Sequence, residues 1–371
     1  MLRRSFVAAA VAACAASAVV VVPASPGGAS DPVVGVAADR AADWLESEQQ
    51  PDGGFELAGF PGFETSDAVL AIALAAQTGP VWDAAAARAA VEALTYGGPG
   101  GPTPIDALDD WVTGGINAGE AAKLILLVIE PLDLDPADFG PSGTDVFSIL
   151  YPSGTCAGGP DLSGTFFYEK LSLGLATDLL CGAVDPAVVT LVRAAQRADG
   201  AWNNIGDPSV TTDLGDEVDV TSIATQVLIA SGAPWDDPAV LRALGYLVTR
   251  QDPSGAFRSY GAADPNATAM AMLAITAAGF DPTTSCWRDT AVPARSGTAY
   301  GDPLAWSLAQ QQPDGRVVSP NDTYGVNSFP TSQSVQGWMR TWVPIARVTG
   351  APDCRPAPAP VPVVPQPRFT G

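Results

Sequence analysis

The sequence predicts an all-α protein, an (α/α)6 toroid of six helical hairpins. Three observations carry this: helix-start signals recurring about every fifty residues, a Gln–Gly signature ending the first helix of most units, and a second helix apolar on every side.

The starts come first. An Asp ahead of a helix accepts the unpaired N–H groups of its first turn, and a following Pro has a helical φ and no donor to leave unpaired. Such starts stand at Asp31-Pro32, Asp83, Asp135-Pro136, Asp185-Pro186, Asp237-Pro238 and Asp302-Pro303. They are spaced by 52, 52, 50, 52 and 65 residues, the last interval lengthened by Asp281-Pro282 and an insertion running to Tyr300.

The first helix of a unit ends in a pattern. Arg40-Ala41, Trp44-Leu45, Gln49, Gly53 and Phe55 match Arg242-Ala243, Tyr246-Leu247, Gln251, Gly255 and Phe257. Gln196, Gly200 and Trp202 repeat it, as do Trp306, Gln311 and Gly315. The aromatic lies about one turn before the Gln, whose amide is expected to reach the free carbonyls of the last turn. The Gly then gives a left-handed stop and the next aromatic folds back as a cover. Units two and three lack the Gln and read as degenerate copies.

The second helices are expected over 67–76, 221–230, 268–278 and 332–348, most of them followed by Gly (Gly79, Gly182, Gly232, Gly279, Gly350). A helix apolar on every side is buried on every side. Six buried helices inside six amphipathic ones form a ring, because an open stack would expose apolar ends.

The ring is assigned to 31–354. Residues 1–30 read as an export signal, with Arg3 and Arg4 ahead of an uncharged run from Ser5 to Val22 and then small residues, so the protein is expected outside the cytoplasm. Residues 355–371, rich in Pro, read as an extended spacer. No other segment is long and apolar enough to span a membrane. A net charge of −22 argues against nucleic acid and anionic surfaces as partners. Oligomeric state is not readable.

The pattern Arg-Ala-x2-aromatic-Leu-x3-Gln-x3-Gly-x-aromatic resembles the repeat of squalene–hopene cyclases, the QW motif, over roughly residues 31–350. Protein prenyltransferase β subunits and cobalamin carriers share that toroid, so the resemblance implies a fold and leaves chemistry open. Prenyltransferases need zinc from Asp, Cys and His. This chain has no His and its five cysteines stand singly, so no metal or other cofactor is expected. The cyclases carry Asp-x-Asp-Asp-Thr-Ala, whose middle Asp protonates the substrate. Glu217-Val218-Asp219-Val220-Thr221-Ser222 matches with Val220 in place of the second Asp. The resemblance thus implies Asp219, and less directly Glu217, as proton donor.

Against this stands a structural reading, in which Asp219 caps a second helix as Asp67 and Asn266 would. A third possibility is a glycan-active enzyme, which needs two facing carboxylates. Glu64, Glu120, Glu169, Glu217 and Asp219 fall near starts of second helices, hence near one mouth of the ring. The reading carried forward is an exported toroid that binds a small hydrophobic or glycan ligand, or serves as a surface scaffold, without catalysis. No segment reads as an apolar docking patch. Four cysteines follow the signal. Cys181, Cys286 and Cys354 come after second helices and Cys156 before one, which predicts Cys286–Cys354 and, by elimination, Cys156–Cys181.

Overall fold

The computed structural model describes residues 31–57, 62–79, 81–163, 166–295, 299–321 and 325–340. The signal-like residues 1–30, the tail 355–371 and Cys354 lie outside these. In chain order the helices are α1 (Pro32–Ser47), α2 (Phe63–Ala75), α3 (Ala84–Glu92), α4 (Pro104–Thr113), α5 (Ala118–Leu124), α6 (Val146–Leu150), α7 (Phe167–Cys181), α8 (Pro186–Ala195), α9 (Glu217–Ala230), α10 (Pro238–Arg250), α11 (Pro265–Ala277), α12 (Cys286–Ala291), α13 (Pro303–Leu308) and α14 (Phe329–Met339). A π-helical turn, Ile125–Ile129, continues α5.

Six helices form the inner ring. α2 packs on α5 and its π turn, then follow α7, α9, α11 and α14, and α14 returns to α2. The protein is therefore a closed helical toroid. The inner helices are almost wholly buried: in α9 all but Asp219, in α11 all but Asn266 and Thr276. α1, α3, α4, α6, α8, α10, α12 and α13 make up the outer layer.

The Asp caps form at five of the six expected starts. Asp31 accepts the N–H of Val33 at 2.9 Å, Asp83 that of Ala86 at 3.0 Å and Asp185 that of Ala187 at 2.8 Å. Asp237 and Asp302 do the same for Ala239 and Leu304 at 2.7 and 2.9 Å. Asp135-Pro136 is different. Asp135 accepts from Ala137 in an isolated turn, and the outer helix of that unit is the short α6, capped by Asp145 through Ser148. Asx turns and caps use the same bond, so sequence does not separate them. The second unit also has two outer helices, the latter begun by a Thr103–Asp106 capping box.

The Gln does not reach the last-turn carbonyls. Gln49, Gln196, Gln251 and Gln311 each donate to the carbonyl of the Gly four residues on, at 2.9 to 3.1 Å. Two donate further, into the next unit: Gln196 to Ala239 at 2.9 Å and Gln311 to Ala37 at 2.8 Å. At Gly315, φ is +100° and a Cβ would lie 2.0 Å from the Arg40 carbonyl oxygen. The signature turn is thus a docking point for the neighbouring outer helix. The covering side chains Phe55, Trp202 and Phe257 are completely buried.

Each cover is tied to its inner helix by a Thr the sequence reading assigned no such role. Thr65, Thr221, Thr268 and Thr331 accept the backbone N–H of Phe55, Trp202, Phe257 and Val317 at 2.9 to 3.1 Å. These inner helices also begin before the expected positions, at Phe63, Glu217, Pro265 and Phe329. An antiparallel hairpin, Phe257–Ser259 with Ala262–Asp264, leads into α11.

Cys156 and Cys181 form a disulfide with Cα atoms 6.0 Å apart. The loop after α6 folds back along α7, and the Tyr151 hydroxyl donates to Cys181 Sγ at 3.2 Å. Cys286 is also disulfide-bonded, while its expected partner Cys354 lies outside the described residues.

Candidate functional site

The four Thr residues set a common register for the inner helices. Two positions before each Thr stand Phe63, Asp219, Asn266 and Phe329, and all four keep accessible surface where most of their helices do not. They point to the space enclosed by the ring. Two positions after the Thr, about one turn deeper, come Asp67, Ile223, Met270 and Gln333. A further turn brings Leu70, Gln226, Leu273 and Gln336. Each level of the chamber so defined carries two apolar and two polar side chains, the polar ones being Asp219 and Asn266, then Asp67 and Gln333, then Gln226 and Gln336.

On one side a cation is locked in place. Lys123 of α5 pairs with Asp67 at 2.8 Å and lies 4.1 Å from the Phe63 ring centroid and 5.4 Å from that of Phe329. The two rings meet edge to face at 5.3 Å. Gln336 donates to the other oxygen of Asp67 at 3.0 Å. Asp67 is therefore no helix cap: it sits in the second turn of α2 and binds α5 and α14 to it.

Opposite stands Asp219. It does not cap α9 either. Its Oδ1 is closed to solvent and accepts no hydrogen bond among the described residues. Burial, together with the charges of Asp264 and Asp216, pushes its carboxyl well above the usual Asp range. Asp216, at the helix start, is pushed up to about 6, by burial and then by Glu217. Tyr168 of α7 lies within electrostatic reach of Asp219, Asp67 and Asp216, and burial raises its phenol strongly. α2, α7 and α9 thus converge on one space.

The remaining expected carboxylates hold backbone. Glu217 accepts the N–H of Leu214 at 2.7 Å and of Gly215 at 2.9 Å, and pairs with Arg197 at 3.4 Å. Glu120 closes a capping box with Asn117, and Glu169 accepts the N–H of Phe166 ahead of α7. Glu64 is buried and accepts from the backbone and hydroxyl of Ser328, joining α2 to α14. Each sits at a helix N-terminus for the ordinary reason that backbone donors are free there. Asn266 shares the level of Asp219, and its Oδ1 is likewise buried without a partner among the described residues. Of the acidic loop residues, Asp106 belongs to a capping box, Asp109 binds Ser142 and Asp213 pairs with Arg250 at 2.8 Å. Among the described residues no three His, Cys, Asp or Glu side chains are grouped to hold a metal.

The mouth at the N-terminal ends of the inner helices carries apolar side chains that sequence reading missed. Phe63, Phe166, Ile205, Tyr260, Val318 and Val326 are all exposed and lie in inner-helix starts or in the segments that lead to them. They are far apart along the chain, and only the ring brings them to one end.

Among the described residues no helix is long and apolar enough to cross a membrane. No family model and no curated protein matches the sequence. Solved structures do. The apo form of the type II terpene cyclase MstE from Scytonema is 14% identical, with 84% of this chain and 98% of that one covered and a TM-score of 0.54. A variant of the same cyclase in complex with its product, merosterolic acid A, matches at 14% identity over the same shares, with a TM-score of 0.53. The chain has the terpene-cyclase-like fold, a closed ring of helical hairpins.

Proposed function

We propose that the protein binds a small, largely apolar molecule in its central chamber, with the polar end of that molecule at Asp219. One observation carries the reading: a carboxyl oxygen buried without a partner at the upper level, above Ile223, Met270 and Leu273. A buried polar atom left unpaired costs about 1–3 kcal/mol, which a ligand donor would recover. The exposed apolar rim suits entry of such a ligand, and the terpene cyclase of like fold is seen in complex with its product, merosterolic acid A. The disulfide at Cys156–Cys181 supports export to an oxidising compartment, as does the signal-like start. Native mass spectrometry of protein recovered from its own host tests this. The expected result is an added mass that leaves on denaturation. A bare polypeptide mass, together with no uptake of an apolar fluorescent probe, would sink it.

A second reading is favoured by one feature. Asp219 retains its proton well above the usual range, so it could protonate an alkene. Two features weigh against it. Val220 removes the neighbouring acid, and the aromatic pair Phe63–Phe329, which would steady a carbocation, already holds the ammonium of Lys123. Incubation with squalene or a shorter polyprene decides. A cyclised product that is lost in Asp219→Asn would establish catalysis.

A further inference from the structure

Beyond binding as such, the donors and acceptors around Asp219 define what kind of polar end fits. Three acceptor oxygens there are closed to solvent and unpaired among the described residues: Asp219 Oδ1 and Asp216 Oδ1 in the first turn of α9, and Asn266 Oδ1 in the first turn of α11. α9 and α11 pack side by side. Asp264, the acid with the largest effect on Asp219, offers nothing in return. Its oxygens are already filled by the N–H of Ala267, the hydroxyl of Ser319 and the amide of Asn321.

Three nearby cations among the described residues are already paired elsewhere. Arg197 is held by Glu217 and Asp199, Arg250 by Asp213, and Lys123 by Asp67 across the chamber. The site has acceptors in excess, with the negative charge of Asp264 and Asp216 beside a protonated Asp219 that gives up its proton to an incoming cation. A hydrocarbon end leaves both unmatched, and a carboxylate or phosphate end is repelled by Asp264 and Asp216. The partial positive charge at the start of α9 does not redress this, because Asp216, Glu217 and Asp219 share it.

We infer that the chamber takes an aliphatic ammonium, its cationic head on Asp219, Asp216 and Asn266 and its chain along Ile223, Met270 and Leu273. A primary ammonium has three N–H donors for three acceptors, and charge-assisted bonds of this kind are the strong ones. The inference rests on the chamber-binding reading and refines it.

The test uses the mature full-length protein and three ten-carbon probes below their micelle concentrations: decylamine hydrochloride, decanol and sodium decanoate. Calorimetric titration should give decylamine about tenfold or more over decanol, with decanoate weakest. Asp219→Asn should bring decylamine close to decanol. Asp216→Asn, further from the chamber floor, should lower the preference by a smaller factor and serves if the first variant folds poorly, which circular dichroism would reveal. Equal binding of decylamine and decanol, or a preference that survives both substitutions, overturns the ammonium head while leaving a binding chamber. Failure of all three probes to bind overturns the chamber reading, and the ammonium with it.

Discussion

The side-chain amide of Gln311 donates to the backbone carbonyl of Ala37 across 2.8 Å and 274 residues of sequence. The same amide also holds Gly315 in its own turn. One side chain thereby joins the last outer helix to the first, and the Arg40 guanidinium answers by donating to the carbonyls of Gln312 and Pro313.

Gln311→Ala should destabilise the protein by about 1–2 kcal/mol, because two buried or half-buried carbonyls lose a donor. Gln196→Ala should cost a similar amount for the same reason. Gln49→Ala should cost less, since Gln49 bonds only within its own turn. Urea unfolding of the three variants checks this ranking, and equal costs would refute the inter-unit role.

Gly315→Ala should cost more than any of these, at least about 2 kcal/mol. The substitution combines a left-handed backbone with a methyl driven into Arg40. Gly79→Ala is the control: open space surrounds its Cβ position, and a change within about 0.5 kcal/mol is expected.

Asp219→Asn should stabilise the protein, and more so at higher pH. The folded pKa is raised above the unfolded one, so the native state holds a proton that the unfolded chain releases. Stability linked to Asp219 is complete below the unfolded value of about 3.9 and falls as pH rises toward the folded pKa. Asp216 adds a similar loss between about 4 and 6. Thermal melts of wild type and variant should therefore converge near pH 4 and separate by pH 7.5. A cap would behave in the opposite way, with Asp219→Ala costing stability at pH 7.5.

Lys123→Met should cost about 3 kcal/mol or more, because it leaves the buried Asp67 without its cation. Lys123→Met combined with Asp67→Leu should recover much of that loss. A double-mutant cycle in guanidinium chloride reads the coupling.

Loss of the Cys156–Cys181 bridge should cost roughly 3 kcal/mol, given the 25 residues it encloses. Peptide mapping without reduction should recover this pair and, separately, Cys286 joined to Cys354. A Cys181–Cys286 peptide would contradict both.

What the sequence made legible was whatever depends on neighbours along the chain. The caps at Asp31, Asp83, Asp185, Asp237 and Asp302 each involve atoms a few residues apart, and the buried inner helices show in unbroken apolar runs. Their true starts were hidden because the first turns carry Glu64, Glu217 and Asp264, which look like surface residues until their partners are seen. The Gln was assigned to the wrong carbonyl because its second partner belongs to another unit. Asp219 looked like a cap by position, but α9 begins at Glu217 and Asp219 stands inside its first turn. The bridge from Cys156 to Cys181 followed from the sequence only by elimination, and the loop that returns along α7 brings the two together. Lys123, Tyr168 and the exposed rim carried no local signal at all, since the groups that give them meaning arrive from α2, α9 and α14.

The seam between α14 and α2 has a consequence for how the molecule is made. Synthesis proceeds from the N-terminus, yet α1 and α2 take final partners that end at Met339. Until that residue emerges, the flanks of the first hairpin are bare apolar surface, and no earlier stopping point buries them. An open stack of repeats can mature one unit at a time. Here the first unit must wait for the last, so the nascent chain is exposed to aggregation and proteolysis for its whole passage, and a stop codon anywhere before the final helix leaves a product with two sticky ends.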